Sequence, residues 1–222
     1  DEKLEFRQMN MNMNDAICSM SLKRLCSYYE RCYGKKTIIL LDEYDTPMQE
    51  AYIHGYWNEF TAFLRSLFNA TFKTNPYLER AVMTGITRVS KESMFSDLNN
   101  LNVVTTTSEE YSSCFGFTEE EVFATLNRFG MSDKKAEVRK WYDGFTFGSH
   151  KDIYNPWSIT SYLDKKRFAP YWAATSSNGL VSRLLQRASS EVKETMEELL
   201  KGGTIVVNFD EQIVFNQLDN DE

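Results

Sequence analysis

Hydrophobic positions along the 222 residues change spacing several times, and each change marks an element. After a polar lead-in over residues 1–14, Ile17, Leu22, Leu25, Cys26 and Tyr29 recur at helical spacing. Asp15 is placed to cap this helix and Gly34 to end it in a left-handed conformation. Thr37 to Leu41 is a continuous apolar run with β-branched residues, the pattern of a strand covered on both faces. Residues 56–72 return to helical spacing with a wide stripe of Phe60, Phe63, Leu64, Leu67 and Phe68. Pro76 breaks the chain before "LERAVMTGI", a second buried strand ending at Thr84–Gly85. "SKESMFSDL" (90–98) reads as a short helix and "LNVVTTT" (101–107) as a third strand by β-propensity.

Beyond Thr107 the pattern turns helical. "FTEEEV" carries a capping box from Thr118 to Glu121 and starts a helix running to about Phe129. "MSDKKAEVRKWYDGF" continues as a helix stopped near Gly144, and Asn155 followed by Pro156 is a helix start. Further helices are expected over 180–187 and 191–201, the last ended by Gly202–Gly203, with "TIVVNF" as a short strand. Strands alternating with helices imply an α/β layer with a largely parallel sheet over residues 1–112. Residues 113–222 then form a mostly helical subdomain, lid-like or winged-helix-like, with the boundary between 108 and 118.

Composition narrows the function classes. Net charge is −7, so bulk attraction to nucleic acid or an anionic membrane is not indicated. Four cysteines (Cys18, Cys26, Cys32, Cys114) form no C-x-x-C pair and have two histidines to help them, which disfavours a zinc site or a disulfide framework and suits reduced thiols in a cytoplasmic protein. No apolar run approaches the ~18–20 residues of a membrane span, and no signal peptide is visible.

The candidate chemistry begins where the first strand runs into Asp42, Glu43 and Asp45. Carboxylates at the mouth of a buried strand must be solvated, paired or bound to a cation. A hydrophobic strand ending in Asp–Glu has the form of a Walker B element. There Asp42 holds Mg²⁺ through water and Glu43 orients the attacking water. Roughly forty residues on, the next strand ends in "MTGITRVSK", where Thr84 could bond the attacking water or γ-phosphate and Arg88 could offer a bidentate fork to phosphate. The competing readings are a strand that ends in an acidic turn, a Thr84 that caps its strand and an Arg88 paired with a surface carboxylate. Asp45 is either a second-sphere partner for Mg²⁺ or, the reading preferred here, a cap on the turn at Thr46–Pro47. His54, a lone histidine near this cluster, and Cys114, with no base beside it, carry no chemistry on this pattern. "WYDGFTFG" and "YNPWSI" set aromatics beside turns; packing within the helical part is the expected role, ahead of base stacking.

"IILLDEYDTPMQEAY", "NPYLERAVMTGITRVSKESMFSDLNNL", "YSSCFGFTEEEV", "WYDGFTFG" and "YNPWSI" together resemble the predicted AAA-ATPase-like family over nearly all of residues 16–200. The resemblance implies a P-loop fold of the ASCE type with a helical lid, Mg²⁺ and ATP as ligands of the complete protein, and a PD-(D/E)XK nuclease-like domain as a frequent C-terminal neighbour. By position, Asp42 and Glu43 match Walker B, and Thr84 and Arg88 match the sensor block. The departure is a phosphate loop: the sequence contains no G-x-x-x-x-G-K-[ST], and "YGKKT" at 33–37 leads into a strand rather than a helix. The expectation is therefore a fragment of an ATPase core, inactive alone, whose phosphate loop lies upstream. Its alternative is a nucleotide-free interaction module on the same fold. A parallel sheet lacking a central strand is expected to self-associate through its open edge.

Overall fold

A computed structural model describes Arg7 and residues 13–86, 98, 100–173 and 179–206. The chain divides into two compact units, Asp1–Leu101 with Gly179–Glu222, and Asn102–Asn178. The first is an α/β unit with a small parallel sheet flanked by helices, and the C-terminal part of the chain is helical for the most part.

In the first unit, α1 (Asp15–Ser19) and α2 (Ser21–Tyr33) replace the single expected helix, divided at Met20. The cap of α1 is Asn14, not Asp15: the Asn14 side chain accepts from the Ile17 N–H at 3.0 Å. Gly34 ends α2 with φ 64°, as the sequence indicated. Strand β1 (Thr37–Leu41) follows, then α3 (Thr46–His54) and α4 (Trp57–Phe68), the latter running into a π-turn over Asn69–Lys73, and then β2 (Leu78–Met83). Helix α3 is absent from the sequence reading although Pro47 in its first turn is a start signal; its weak amphipathic pattern hid it.

β1 and β2 pair in parallel, Ile39 opposite Ala81 and Leu41 opposite Met83. These residues turn one face onto the core of Met48, Leu64, Phe68, Phe72 and Leu98. The opposite face is bare among the described residues: Ile38 is 60% and Leu40 76% exposed, beside exposed Val82. The expectation of a strand covered on both faces is thus met on one side only.

The third expected strand does not form. Residues 101–105 have no regular structure; Asn102 bonds Glu110 and the Thr105 N–H bonds Ser108 Oγ, so the segment folds back on itself. β-propensity alone supplies no ladder partner. Residues 204–206 are likewise not a strand, and the helix expected over 90–98 lies outside the described residues except for Leu98.

The second unit runs β3 (Phe117–Thr118), α5 (Glu119–Arg128), a 3-10 turn over Ser132–Lys134, α6 (Lys135–Tyr142), β4 (Asp143–Phe147), β5 (His150–Tyr154) and α7 (Pro156–Lys165). The capping box on α5 is present in full, and Asn155 caps α7 by accepting from Ser158 N–H at 3.0 Å. The surprise is an antiparallel sheet in the order β3-β5-β4. Its hairpin begins at Asp143, where the sequence indicated the end of a helix: Phe145 and Phe147 alternate too briefly to outweigh the helical pattern before them, and Ile153 and Tyr154 are adjacent, with no alternation at all. Val122, Leu126, Val138, Tyr142, Tyr154, Ile159 and Tyr162 form the core of this unit. Beyond it come α8 (Gly179–Arg187) and α9 (Ser190–Leu200), α9 being capped by Ser189. None of the helices formed by described residues is long and apolar enough to cross a membrane.

Candidate functional site

Parallel pairing brings the ends of β1 and β2 side by side, which joins residues forty positions apart. The ladder extends one step past both strands: Thr84 N–H donates to Leu41 O and Tyr44 N–H donates to Thr84 O, each at 2.9 Å. Asp42 leaves β1 exposed to solvent, and the Thr84 hydroxyl donates to its Oδ1. The same hydroxyl oxygen accepts from the Glu43 N–H at 3.3 Å. That second contact requires a sharp turn. Glu43 adopts φ 51°, a left-handed conformation that costs a non-glycine residue about 1 kcal/mol or more. The Glu43 carboxylate is exposed and receives the Thr46 hydroxyl at 3.2 Å, so its direction is set by the first turn of α3.

Three of the four residues singled out in the sequence, Asp42, Glu43 and Thr84, are therefore in one cluster. Arg88, the fourth, lies outside the described residues. His54 is away in the last turn of α3, paired with Glu50 at 3.2 Å on the surface.

Asp45 occupies the N-cap position of α3 but makes no side-chain cap, against the preferred reading of it. It is 1% exposed, and its Oδ2 accepts from the Ile86 N–H at 3.1 Å and from Gln49 Nε2 at 3.4 Å. Its carboxylate ties the loop after β1 to the loop after β2. Gly85 lies against that carboxylate: a Cβ there would stand 2.6 Å from Asp45 Oδ1 and 2.7 Å from a Tyr44 ring carbon. Only a residue without a side chain passes at that distance. The sequence held the signal, a glycine after the threonine that ends β2 and a third carboxylate after the Asp–Glu pair, yet nothing in the pattern linked the two.

The donor set suits Mg²⁺ in one respect. Among the described residues no three His, Cys, Asp or Glu side chains are grouped to hold a metal, so this cluster is not a protein cage. Mg²⁺ ordinarily takes one or two carboxylates and completes its octahedron with water and phosphate oxygens. Asp42, exposed at a strand tip with Oδ2 free of hydrogen bonds to described residues, fits that role.

The second unit holds a separate charged cluster. Glu119 in the first turn of α5 is gripped by Arg139 through both carboxylate oxygens, and the hydroxyl of fully buried Tyr154 donates to Glu119 Oε2 at 3.1 Å. Hydrogen bonding from Arg139 holds the Glu119 carboxyl below its usual range, whereas burial pushes the Tyr154 phenol up. Asp143 is raised, first by burial and then by the adjacent Asp152 charge.

Residues 1–95 match the family described as predicted AAA-ATPase, which relates the α/β unit to AAA-type ATPases at a general level. A protein of Azotobacter chroococcum mcd 1, described as an uncharacterized protein in the vnfD 5′ region, is 30% identical over 153 residues. The aligned part is 68% of this chain and 29% of that relative, so the chain spans less than a third of its length. No solved structure matches the chain.

Proposed function

We propose that the chain is the Walker B and sensor portion of a Mg²⁺-dependent AAA-type ATPase. The observation that supports it best is the bond from the Thr84 hydroxyl to Asp42 across the adjacent ends of two parallel strands. In this reading Asp42 holds Mg²⁺ through water, and Glu43, steered by Thr46, orients and polarises the attacking water. Thr84 registers the nucleotide by exchanging its bond to Asp42 for one to water or the γ-phosphate, and Arg88 contributes to phosphate binding. Bound Mg²⁺ supplies neutralisation of phosphate charge.

The phosphate loop is supplied by residues outside this chain. The bare sheet face at Ile38, Leu40 and Val82 agrees with a sheet completed by further segments, since parallel sheets are ordinarily covered on both faces. A nuclease-like domain beyond the helical part belongs to the same proposal.

The test is nucleotide binding and hydrolysis by a longer protein that includes the flanking sequence. Glu43→Gln should retain Mg²⁺·ATP and lose hydrolysis, while Asp42→Ala should lose the Mg²⁺-dependent part of binding. Hydrolysis unchanged by Glu43→Gln would refute the assignment. A longer protein that binds no Mg²⁺·ATP would favour the nucleotide-free interaction module.

A further inference from the structure

The C-terminal ends of α6 and α7 converge in the second unit. The Tyr142 hydroxyl is 3.2 Å from both the O and the N of Ala169, and Trp141 lies on Phe168 with ring centroids 5.8 Å apart and planes inclined by 20°. Trp141 is nonetheless 49% exposed, a large ring backed by another aromatic and open to solvent. Trp172, also half exposed, meets Phe145 edge-on at 5.6 Å on the adjoining hairpin.

Among the described residues of this unit, the cations with ion partners are Lys134 and Arg139. At the start of α6, Lys134 is matched by Asp133 and Glu137, and further along the helix Arg139 is matched by Glu119. Lys140, Lys166 and Arg167 form no ion pair with a described residue, and Lys165 sits over the Tyr171 ring with Nζ 4.9 Å from its centroid. Helix-end electrostatics accounts for a lysine in each last turn. It does not account for Lys166, which occupies a left-handed C-cap (φ 51°) that glycine fills without strain.

We propose that this surface binds single-stranded nucleic acid, with Lys140, Lys165, Lys166 and Arg167 on phosphates and Trp141 stacking on an unpaired base. Exposed aromatic rings next to unpaired cations are what a single strand recognises, because every base has a π-face once it is unpaired. A duplex offers no such face, and Arg139, in the middle of α6, is taken up by Glu119. The overall charge of −7 opposes binding elsewhere on the chain, so the attraction is local and strongly dependent on salt.

The experiment is fluorescence anisotropy of labelled dT20 and U20 titrated with this chain, between 50 and 200 mM salt. Four phosphate contacts give a slope of log K against log salt near −3 and about fiftyfold weaker binding over that range. Lys166→Ala/Arg167→Ala should halve the slope. Trp141→Ala should weaken binding roughly tenfold at every salt concentration and leave the slope alone. DNA and RNA binding alike would place recognition on backbone and stacking; preference for one would name the natural strand. The proposal fails if neither oligonucleotide binds at 50 mM salt, or if the lysine–arginine double variant binds as the parent does. It also fails if a 20-mer duplex binds as tightly as the single strand. Circular dichroism checks the fold of Trp141→Ala; should that variant unfold, the exposed lysine–arginine pair still decides the matter.

Discussion

Replacing Gly85 by alanine tests whether the loops after β1 and β2 are held together by Asp45. The added Cβ would stand 2.6 Å from Asp45 Oδ1 and 2.7 Å from the Tyr44 ring, well inside van der Waals contact. Asp45 is fully buried and cannot swing into solvent. Tyr44 is half-buried against the same core as β1. Overpacking of this kind costs about 1–3 kcal/mol. Displacing the carboxylate also stretches its bond from the Ile86 N–H, and a hydrogen bond to a charged group contributes about 1.5–3 kcal/mol. With partial relief of each by the other, the expected loss is about 2–4 kcal/mol, or a fall in Tm of roughly 6–12 °C at this size. Urea denaturation of the parent, Gly85→Ala, Asp45→Ala and the double variant makes a thermodynamic cycle. The reasoning expects a coupling of about 1 kcal/mol or more, because removing the Asp45 carboxylate removes the closest clash. A Gly85→Ala protein within about 0.5 kcal/mol of the parent, or strictly additive losses, would refute it.

Four further outcomes follow from the same contacts. Glu43→Gly relieves a left-handed residue and should leave stability unchanged or raise it by up to about 1 kcal/mol in a urea titration, while removing any hydrolysis in the longer protein. Thr118→Ala removes half of the capping box on α5 and should cost about 1 kcal/mol; no change in urea midpoint would show that the box adds nothing. Asp143 has a folded-state pKa raised above the ordinary 3.8, so its stabilising effect is complete below that value and is lost as pH rises through the raised pKa. Asp143→Asn should therefore melt higher than the parent at neutral pH, with the gap closing in acid; a gap independent of pH would refute this. Finally, the exposed face at Ile38, Leu40 and Val82, and the edges left open by the two strands of the described residues, should drive self-association seen by light scattering, and Leu40→Lys should reduce it; a strictly monomeric parent at high concentration would count against it.

Local signals were read correctly at several helix ends, though not at Asp15 or Asp45, neither of which caps a helix with its side chain. Gly34 ends α2, the Thr118–Glu121 pair opens α5, and Asn155 with Pro156 opens α7. Both apolar runs became strands, and their tips carry the carboxylates and the threonine that the pattern singled out. What failed was local preference lacking a partner: residues 101–105 have β-branched side chains but no ladder, whereas the Asp143–Tyr154 hairpin forms on shorter patterns because β3 and the core receive it.

The sequence by itself determined several helix ends, which runs are buried on at least one side, and which side chains stand at strand ends. Those are properties of a few neighbouring residues. Tertiary structure alone decided that Thr84 bonds Asp42, that Asp45 reaches Ile86 instead of capping its own helix, and that Trp141 faces solvent beside unpaired cations. Each depends on which strand or helix lies next to which, and pairing between segments forty residues apart is set by the packing of the whole unit, not by the residues that meet.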